Sequence, residues 1–268
     1  MENCWICGDL ADSKEHKFKA SDLKRFYGKK FDCYYIQESA VQIESYKDRI
    51  LKFPEIICTK CNVTLTRKHD DAYDIFINYC HQNYDLLLER AELNFENIYG
   101  KNWVEQKRNL YRYFAKHAGC KIVTSEYPQD LTDLSEFILG KEKTEKFTLR
   151  FELKMIIKLL HTFYNKDREF GHLFNAQTLY YGYYDNLTLA GWLSNNWITT
   201  NWVYSKNINP NKKSDFINKT ERLKIVDLNY YDKNLLETES YYEMIKYFEF
   251  GKLNTLEKRI EHYKEIIE

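Results

Sequence analysis

Three features of the sequence predict an α+β fold. Two CxxC pairs fall within the first 61 residues, a long helical apolar pattern follows the second pair, and a Tyr-, Trp- and Thr-rich run with turn residues occupies the second half. Together they predict a small metal-stapled module over 1–95 and a mixed helical and antiparallel-sheet domain over 100–268, with Gly100 as the break. The totals agree. A chain of 268 residues holds one large domain or two ordinary ones. Its 44% hydrophobic and 30% charged residues are the balance of a folding chain. Three Pro and nine Gly argue against long flexible linkers.

The first 60 or so residues read as loop, hairpin and irregular structure. Within them SDLKRFYG predicts a short helix starting at Ser21 or Asp22 and stopping at Gly28, and DCYYIQ predicts a strand. RILKFPEIIC carries an apolar strand, Ile56-Ile57, straight into Cys58. Beyond it Leu65, Ala72, Phe76, Tyr79, Cys80 and Leu87 recur at helical steps. That pattern predicts a helix capped by Thr64 or Thr66 and reaching Leu93, with a break near Asn83. WVEQKRNLYRYFAKHAG predicts another helix, stopping at Gly119. CKIVTSE reads as a strand, DLTDLSEFILG as a short helix ending at Gly140, and EKFTLRFEL as an alternating strand. AQTLYYGYYDNLTLAGWLSNNWITTNWVYSK predicts an antiparallel meander turning at Gly182, Asp185-Asn186 and Asn195-Asn196. RLKIVDLNYY adds a strand, and helices over about 237–249 and 253–267 close the chain.

The net charge is zero, 40 basic against 40 acidic residues, so no global field favours a polyanion. Locally, Lys14 to Lys30 carries seven basic residues and two acidic ones. That run is a nucleic-acid track or a solvated face, with equal weight. The start MENCWICGDLADSK has neither the basic residues nor the apolar core of an export signal, and no run of about 18 apolar residues exists. The expectation is a cytoplasmic protein with no membrane segment. In a reducing compartment the seven cysteines read as metal ligands and free thiols rather than disulfides. Cys33, Cys80 and Cys120 have no pairing pattern and are expected to be buried thiols.

Cys4, Cys7, Cys58 and Cys61 supply four thiolates in two pairs. Soft anionic sulfur in a tetrahedral set suits structural Zn²⁺, and four thiolates leave no open position for chemistry. Glu15-His16 and Asn62 lie close to these pairs. The dipeptide follows Cys7 by eight residues, Asn62 follows Cys61 directly, and His69 stands further along the expected helix. A lone Glu-His pair is usually a surface feature; between two staple halves it reads as chemistry.

The order CxxC, Glu-His, CxxC-Asn leading into a helix resembles the HNH endonucleases of the zinc-clipped ββα-metal type, over residues 1–80 or so. The resemblance implies a treble-clef/ββα-metal module in which His16 is the general base. It further implies that Glu15 and Asn62 hold a catalytic Mg²⁺ or Mn²⁺. His69 would add a ligand, orient a phosphate or sit on the solvent face. Phosphodiester hydrolysis is within reach of these residue types, because His is a base near neutral pH and carboxylate and amide oxygens suit hard ions. Lys14, Lys17, Lys19, Lys24 and Arg25 would lie along the nucleic-acid backbone. The chain departs from the family pattern at Lys19, where a Pro often follows the base, and at Phe53, where an Asn often precedes the second CxxC.

The expected function is therefore a metal-dependent endonuclease hydrolysing phosphodiester bonds of DNA, or of RNA. The alternative is a catalytically inactive zinc-stapled adaptor that binds nucleic acid or protein. The resemblance also implies antiviral defence beside a partner such as an ATPase. Residues 100–268 carry no assignable motif, and an added domain there implies target choice, a sensor role or partner docking. Trp192, Trp197 and Trp202 either fill the core of a twisted sheet, the favoured reading, or stack bases. His81, His117, His161, His172 and His262 have no partner pattern and read as structural or exposed.

Overall fold

The computed structural model describes residues 3–31, 33–36, 40–125, 127, 129–154, 174–181, 188–209 and 213–226. The N-terminal part holds β1 (Ser13–His16), α1 (Ala20–Tyr27), β2 (Cys33–Ile36), β3 (Ala40–Ile43) and β4 (Lys52–Ile57). A π-helical turn over Lys60–Leu65 leads into α2 (Arg67–Gln82), then α3 (Tyr84–Arg90), β5 (Glu92–Asn94) and α4 (Phe95–Tyr99). α5 (Trp103–Val123) and α6 (Thr132–Leu139) precede β6 (Phe147–Lys154), β7 (Phe174–Tyr181), β8 (Thr188–Asn195), β9 (Ile198–Tyr204), β10 (Thr220–Arg222) and β11 (Lys224–Val226). Mixed helix and antiparallel sheet is thus the architecture.

β1 and β4 pair antiparallel and hand the chain through the second CxxC to α2, so two strands and a helix frame the cysteines. β2 and β3 form a separate antiparallel hairpin. The main sheet has the order β11-β6-β9-β8-β7, antiparallel except for the parallel β11–β6 edge. The β8–β9 turn is made by Asn196, which adopts φ 56°. Asn tolerates this left-handed conformation better than other residues with a side chain. The expected turns at Gly182 and Asp185-Asn186, and both closing helices, lie outside the described residues.

α5 organises the core. From Asn109 to Cys120 every residue is buried, so the helix is surrounded. Phe114 and Tyr111 of α5, Phe76 of α2 and Phe95 of α4 converge on Phe151 of β6, with ring centroids 5.2–6.5 Å apart. One apolar cluster runs from Cys4 to Val226 across the expected break at Gly100. A surrounded helix must satisfy its polar side chains internally. Lys107 donates to the carbonyls of Asp215 (2.7 Å) and Asn218 (2.8 Å), and Arg112 donates to those of Phe137, Gly140 and Lys141 at the end of α6.

Four expectations need correction here. The helix does not stop at Gly119, and CKIVTSE does not form a strand: α5 continues to Val123. A Cβ on Gly119 would meet the Trp5 ring at 2.1 Å, so this glycine is a notch for an indole rather than a helix end. The β-branched Ile122 is buried in the helix, and packing overrides its strand preference. β6 is also buried on both faces over most of its length instead of alternating. The helical run ends at Arg90 rather than Leu93, which lies in β5, while α1 stops at Gly28, α2 gives way to α3 at Asn83, and α6 ends at Gly140. Cys80 and Cys120 are buried, as are Trp197 and Trp202, while the Cys33 side chain lies outside the described portion.

A polar bond ties the sheet to the N-terminal part. The buried Asp22 carboxylate accepts from the Tyr73 hydroxyl (2.7 Å) and from Asn195 Nδ2 (2.8 Å). Burial raises its pKa from 3.8 to about 6 despite the Tyr73 bond and nearby Arg25. The folded state then holds this proton more tightly than the unfolded chain. The stabilisation is fully present below pH 4 and is lost as pH rises through about 6, at most about 3 kcal/mol. Denaturant melts from pH 4 to 7 should show this decline, and Asp22→Asn should flatten it; an unchanged slope in the variant assigns the decline to another group.

Candidate metal centre and adjoining polar cluster

The N-terminal residues fold so that both CxxC pairs face one point. Cys4 and Gly8 close a tight turn, Gly8 N–H donating to Cys4 O at 2.8 Å with φ 82° at the glycine. β4 delivers Cys58 to the start of the π-helical turn, and the Cys61 N–H donates to Cys58 Sγ at 3.3 Å. The four ligand atoms all lie within 4.8 Å of one another, with Cys7 Sγ 3.5 Å from Cys58 Sγ. A tetrahedron with Zn–S of about 2.3 Å has S–S edges of about 3.8 Å, so the set fits one zinc ion. Without a cation, burial raises the Cys7 thiol to about 11 and pushes Cys61 higher still, with its neighbouring thiols adding to the rise. Burial also opposes ionisation of Cys4, but backbone N–H donors from Cys58, Cys7 and Ile6 bring that thiol below its ordinary value. Four thiolates in this space require a divalent counter-ion. Among the described residues this is the one group of metal-ligating side chains so assembled.

The remaining candidates surround β1. Asn62 donates from Nδ2 to Ser13 Oγ (2.9 Å) and more weakly to Lys14 O (3.5 Å), which fastens it to the strand carrying Glu15 and His16. Its N–H bonds Cys58 O at 2.9 Å. With both protein contacts taken by Nδ2, Oδ1 is the atom Asn62 can offer a cation. His16 sets Nε2 at 3.3 Å from Tyr46 O, and a carbonyl only accepts, so Nε2 carries the proton and Nδ1 the lone pair. Burial lowers the His16 pKa, against the pull of Glu15, and keeps the ring neutral near pH 7.

Glu15 Oε2 lies 3.0 Å from Lys116 Nζ, and the same ammonium lies 3.4 Å from both Asp70 oxygens and 3.2 Å from Thr66 Oγ1. Burial by itself would lower the Lys116 pKa; the two carboxylates more than offset it and hold the amine charged. Asp70 is raised by burial and by Glu15, with Lys116 opposing. Thr66 stands at the start of α2 as expected, but its hydroxyl donates back to Cys61 O (2.9 Å) and Asn62 O (3.1 Å) instead of capping the helix.

His69 is fully buried, not on the solvent face. Burial, Arg112 and Lys116 push its pKa down to about 3, so it is neutral, and neither ring nitrogen has a hydrogen-bond partner among the described residues. Among the described residues, five of the seven basic residues in the run engage partners within the fold, and only Lys19 and Arg25 pair with carboxylates of α2. Lys19 Nζ bonds Asp70 O (2.6 Å) and pairs with Asp74 (3.0 Å), and Arg25 reaches Asp22 and Asp74. Lys17 meets the Tyr35 hydroxyl, Lys24 covers the Tyr46 ring at 4.1 Å, and Lys14 makes an exposed 3.6 Å pair with Glu55. Phe53 is a core residue packed edge-on against His117, whose Nε2 meets Lys17 O at 2.9 Å. His81 lies between the Phe26 and Trp197 rings. Among the described residues no helix is long and apolar enough to cross a membrane.

Sequence reasoning missed Lys116 and Asp70, and it read Thr66 only as a helix cap. One signal was available for Lys116: Asn109, Arg112 and Lys116 form a polar stripe on a helix otherwise rich in Leu, Tyr, Phe and Ala. No protein-family model, no curated protein and no solved structure matches this chain.

Proposed function

We propose that this protein is an HNH-type, metal-dependent endonuclease acting on DNA, built on a zinc-stapled ββα module. The observation that supports this best is Asn62 fastened to β1 beside Glu15 and His16, with its amide oxygen left to a ligand. His16, held neutral with Nδ1 as acceptor, takes the proton from the water that attacks phosphorus. The phosphorus–oxygen bond to the leaving group breaks, and that oxygen is protonated from solvent. Glu15 and Asn62 would hold a Mg²⁺ or Mn²⁺ ion, which supplies charge for the phosphorane and the leaving oxygen. The substrate reaches the site past the exposed Lys14 and the neighbouring Lys24. RNA is a second substrate on the same chemistry, and work beside an ATPase in antiviral defence is the setting we propose.

One observation favours the second reading, an inactive zinc-stapled adaptor: Glu15 already pairs with Lys116 at 3.0 Å. Plasmid DNA and single-stranded RNA incubated with Mg²⁺ or Mn²⁺ separate the two. Cleavage by the wild type and a loss of roughly 10²-fold or more in His16→Ala, with the melting curve retained, is expected for the nuclease. Undiminished cleavage by His16→Ala removes the base; no cleavage by the wild type with any ion leaves the adaptor.

A further inference from the structure

We infer that Lys116 of α5 is a positioning residue for the nuclease site, orienting the Glu15 carboxylate from outside the ββα module. This rests on the nuclease reading above. Three observations carry it. Lys116 is almost wholly inaccessible, its side chain 2% exposed, so it cannot touch a nucleic acid. Its ammonium is nevertheless fully engaged, at 3.0 Å from Glu15 Oε2, 3.4 Å from Asp70 and 3.2 Å from Thr66 Oγ1. And the helix presenting it is the central, surrounded one, packed along α2, so the ammonium has little freedom to wander.

The geometry divides the work on Glu15. Oε2 is held by Lys116, while Oε1 accepts from the His16 backbone N–H at 3.2 Å. Each oxygen thus has one protein donor and lone-pair capacity to spare for a ligand. Lys116 also supplies the charge that lets Glu15 and Asp70 sit together in one partly buried site, and Thr66 links that ammonium to the Cys61 and Asn62 carbonyls. The side chains around the ammonium are Glu15 of β1, Thr66 and Asp70 at the head of α2, and Cys120 on α5 itself, while Lys19 shares Asp70, and His69 and His117 feel the Lys116 charge. Only Glu15 and Asp70 among them carry negative charge, so Lys116 is a fixed part of the arrangement rather than a spare cation. A consequence is that residues 1–95 do not make a complete site; α5 finishes it.

The test is a comparison of wild type, Lys116→Met and Lys116→Arg in steady-state cleavage, with stability measured in parallel. Lys116→Met is expected to lower kcat roughly tenfold or more with KM for DNA within about twofold, because it misplaces a group without touching substrate. Lys116→Arg, which restores the charge, is expected to recover most of that loss. Independently of cleavage, denaturant midpoints of Lys116→Met, Glu15→Gln and their double variant are expected to be non-additive. If Lys116→Met does not fold, Asp70→Asn/Lys116→Met is compared with Asp70→Asn, which keeps the Lys116–Glu15 pair at lower charge imbalance. Wild-type kcat in folded Lys116→Met, or additive midpoints, overturns the positioning role and leaves the nuclease reading standing. A wild type that cleaves nothing overturns the nuclease reading, and this inference with it.

Discussion

Removing zinc, or replacing Cys58 and Cys61 by Ser together, is expected to open the N-terminal module and to lower the melting temperature of the whole chain by roughly 10–20 °C. The cause lies in the sulfur cluster. Four Sγ atoms within 4.8 Å repel one another as thiolates, and burial opposes ionisation at Cys7 and Cys61. Only a bound cation makes their close approach favourable, and apparent binding energies for such sites in small peptides are about 10–16 kcal/mol. Part of that stabilises the fold here, because the first CxxC turn carries Trp5, which sits against Gly119 of α5. A loss of about 5 kcal/mol corresponds to the stated shift for a domain of this size. Elemental analysis should find one zinc per chain, and a strong chelator should reproduce the effect of the double Ser variant. A metal-free protein melting at the wild-type temperature would refute the structural role.

Gly119→Ala is expected to cost about 2–3 kcal/mol, even though alanine favours a helix over glycine by about 1 kcal/mol. The new methyl would lie 2.1, 2.4 and 2.8 Å from three atoms of the Trp5 ring. A ring cannot bend out of the way as the tip of a lysine can, so the indole must move, and with it the turn between Cys4 and Cys7. The measurement is denaturant unfolding of Gly119→Ala, Trp5→Ala and the double variant. Truncating Trp5 removes the obstruction, so the double variant should lose clearly less than the sum of the two single ones. Additivity, or a stabilised Gly119→Ala, would show that the indole does not occupy the notch.

Gly119 also marks where sequence pattern stops. A glycine followed by Cys-Lys-Ile-Val reads as a helix end and a strand, because local pattern is blind to Trp5, which stands near the start of the chain. The cysteine spacing, by contrast, was sufficient by itself: CxxC is a local geometry that points two sulfurs at one place, and the two turns meet as expected. Asn62 lies beside the staple by sequence alone, and the fold bonds it to Ser13 of β1. His69 and Asp70 show the limit within one helix. They are neighbours, but a step of about 100° sends His69 into the core and turns Asp70 toward Lys116 and Lys19. Nothing in the spacing says which of the two faces Glu15.

What the sequence determined on its own is the set of short-range facts: the two thiolate pairs, the mixed helix and sheet content, the stops at Gly28 and Gly140, and the Glu-His and Cys-Asn dipeptides. Each rests on interactions within a few residues, where backbone geometry and side-chain chemistry are nearly independent of the rest of the chain. Only the tertiary structure decided that α5 is surrounded, that its Lys116 lies between Glu15 and Asp70, and that Lys19 and Arg25 of the basic run pair with Asp74 of α2. Those are long-range electrostatic and packing choices, set by which elements share a core, and a charge has no visible partner until the fold brings one to it.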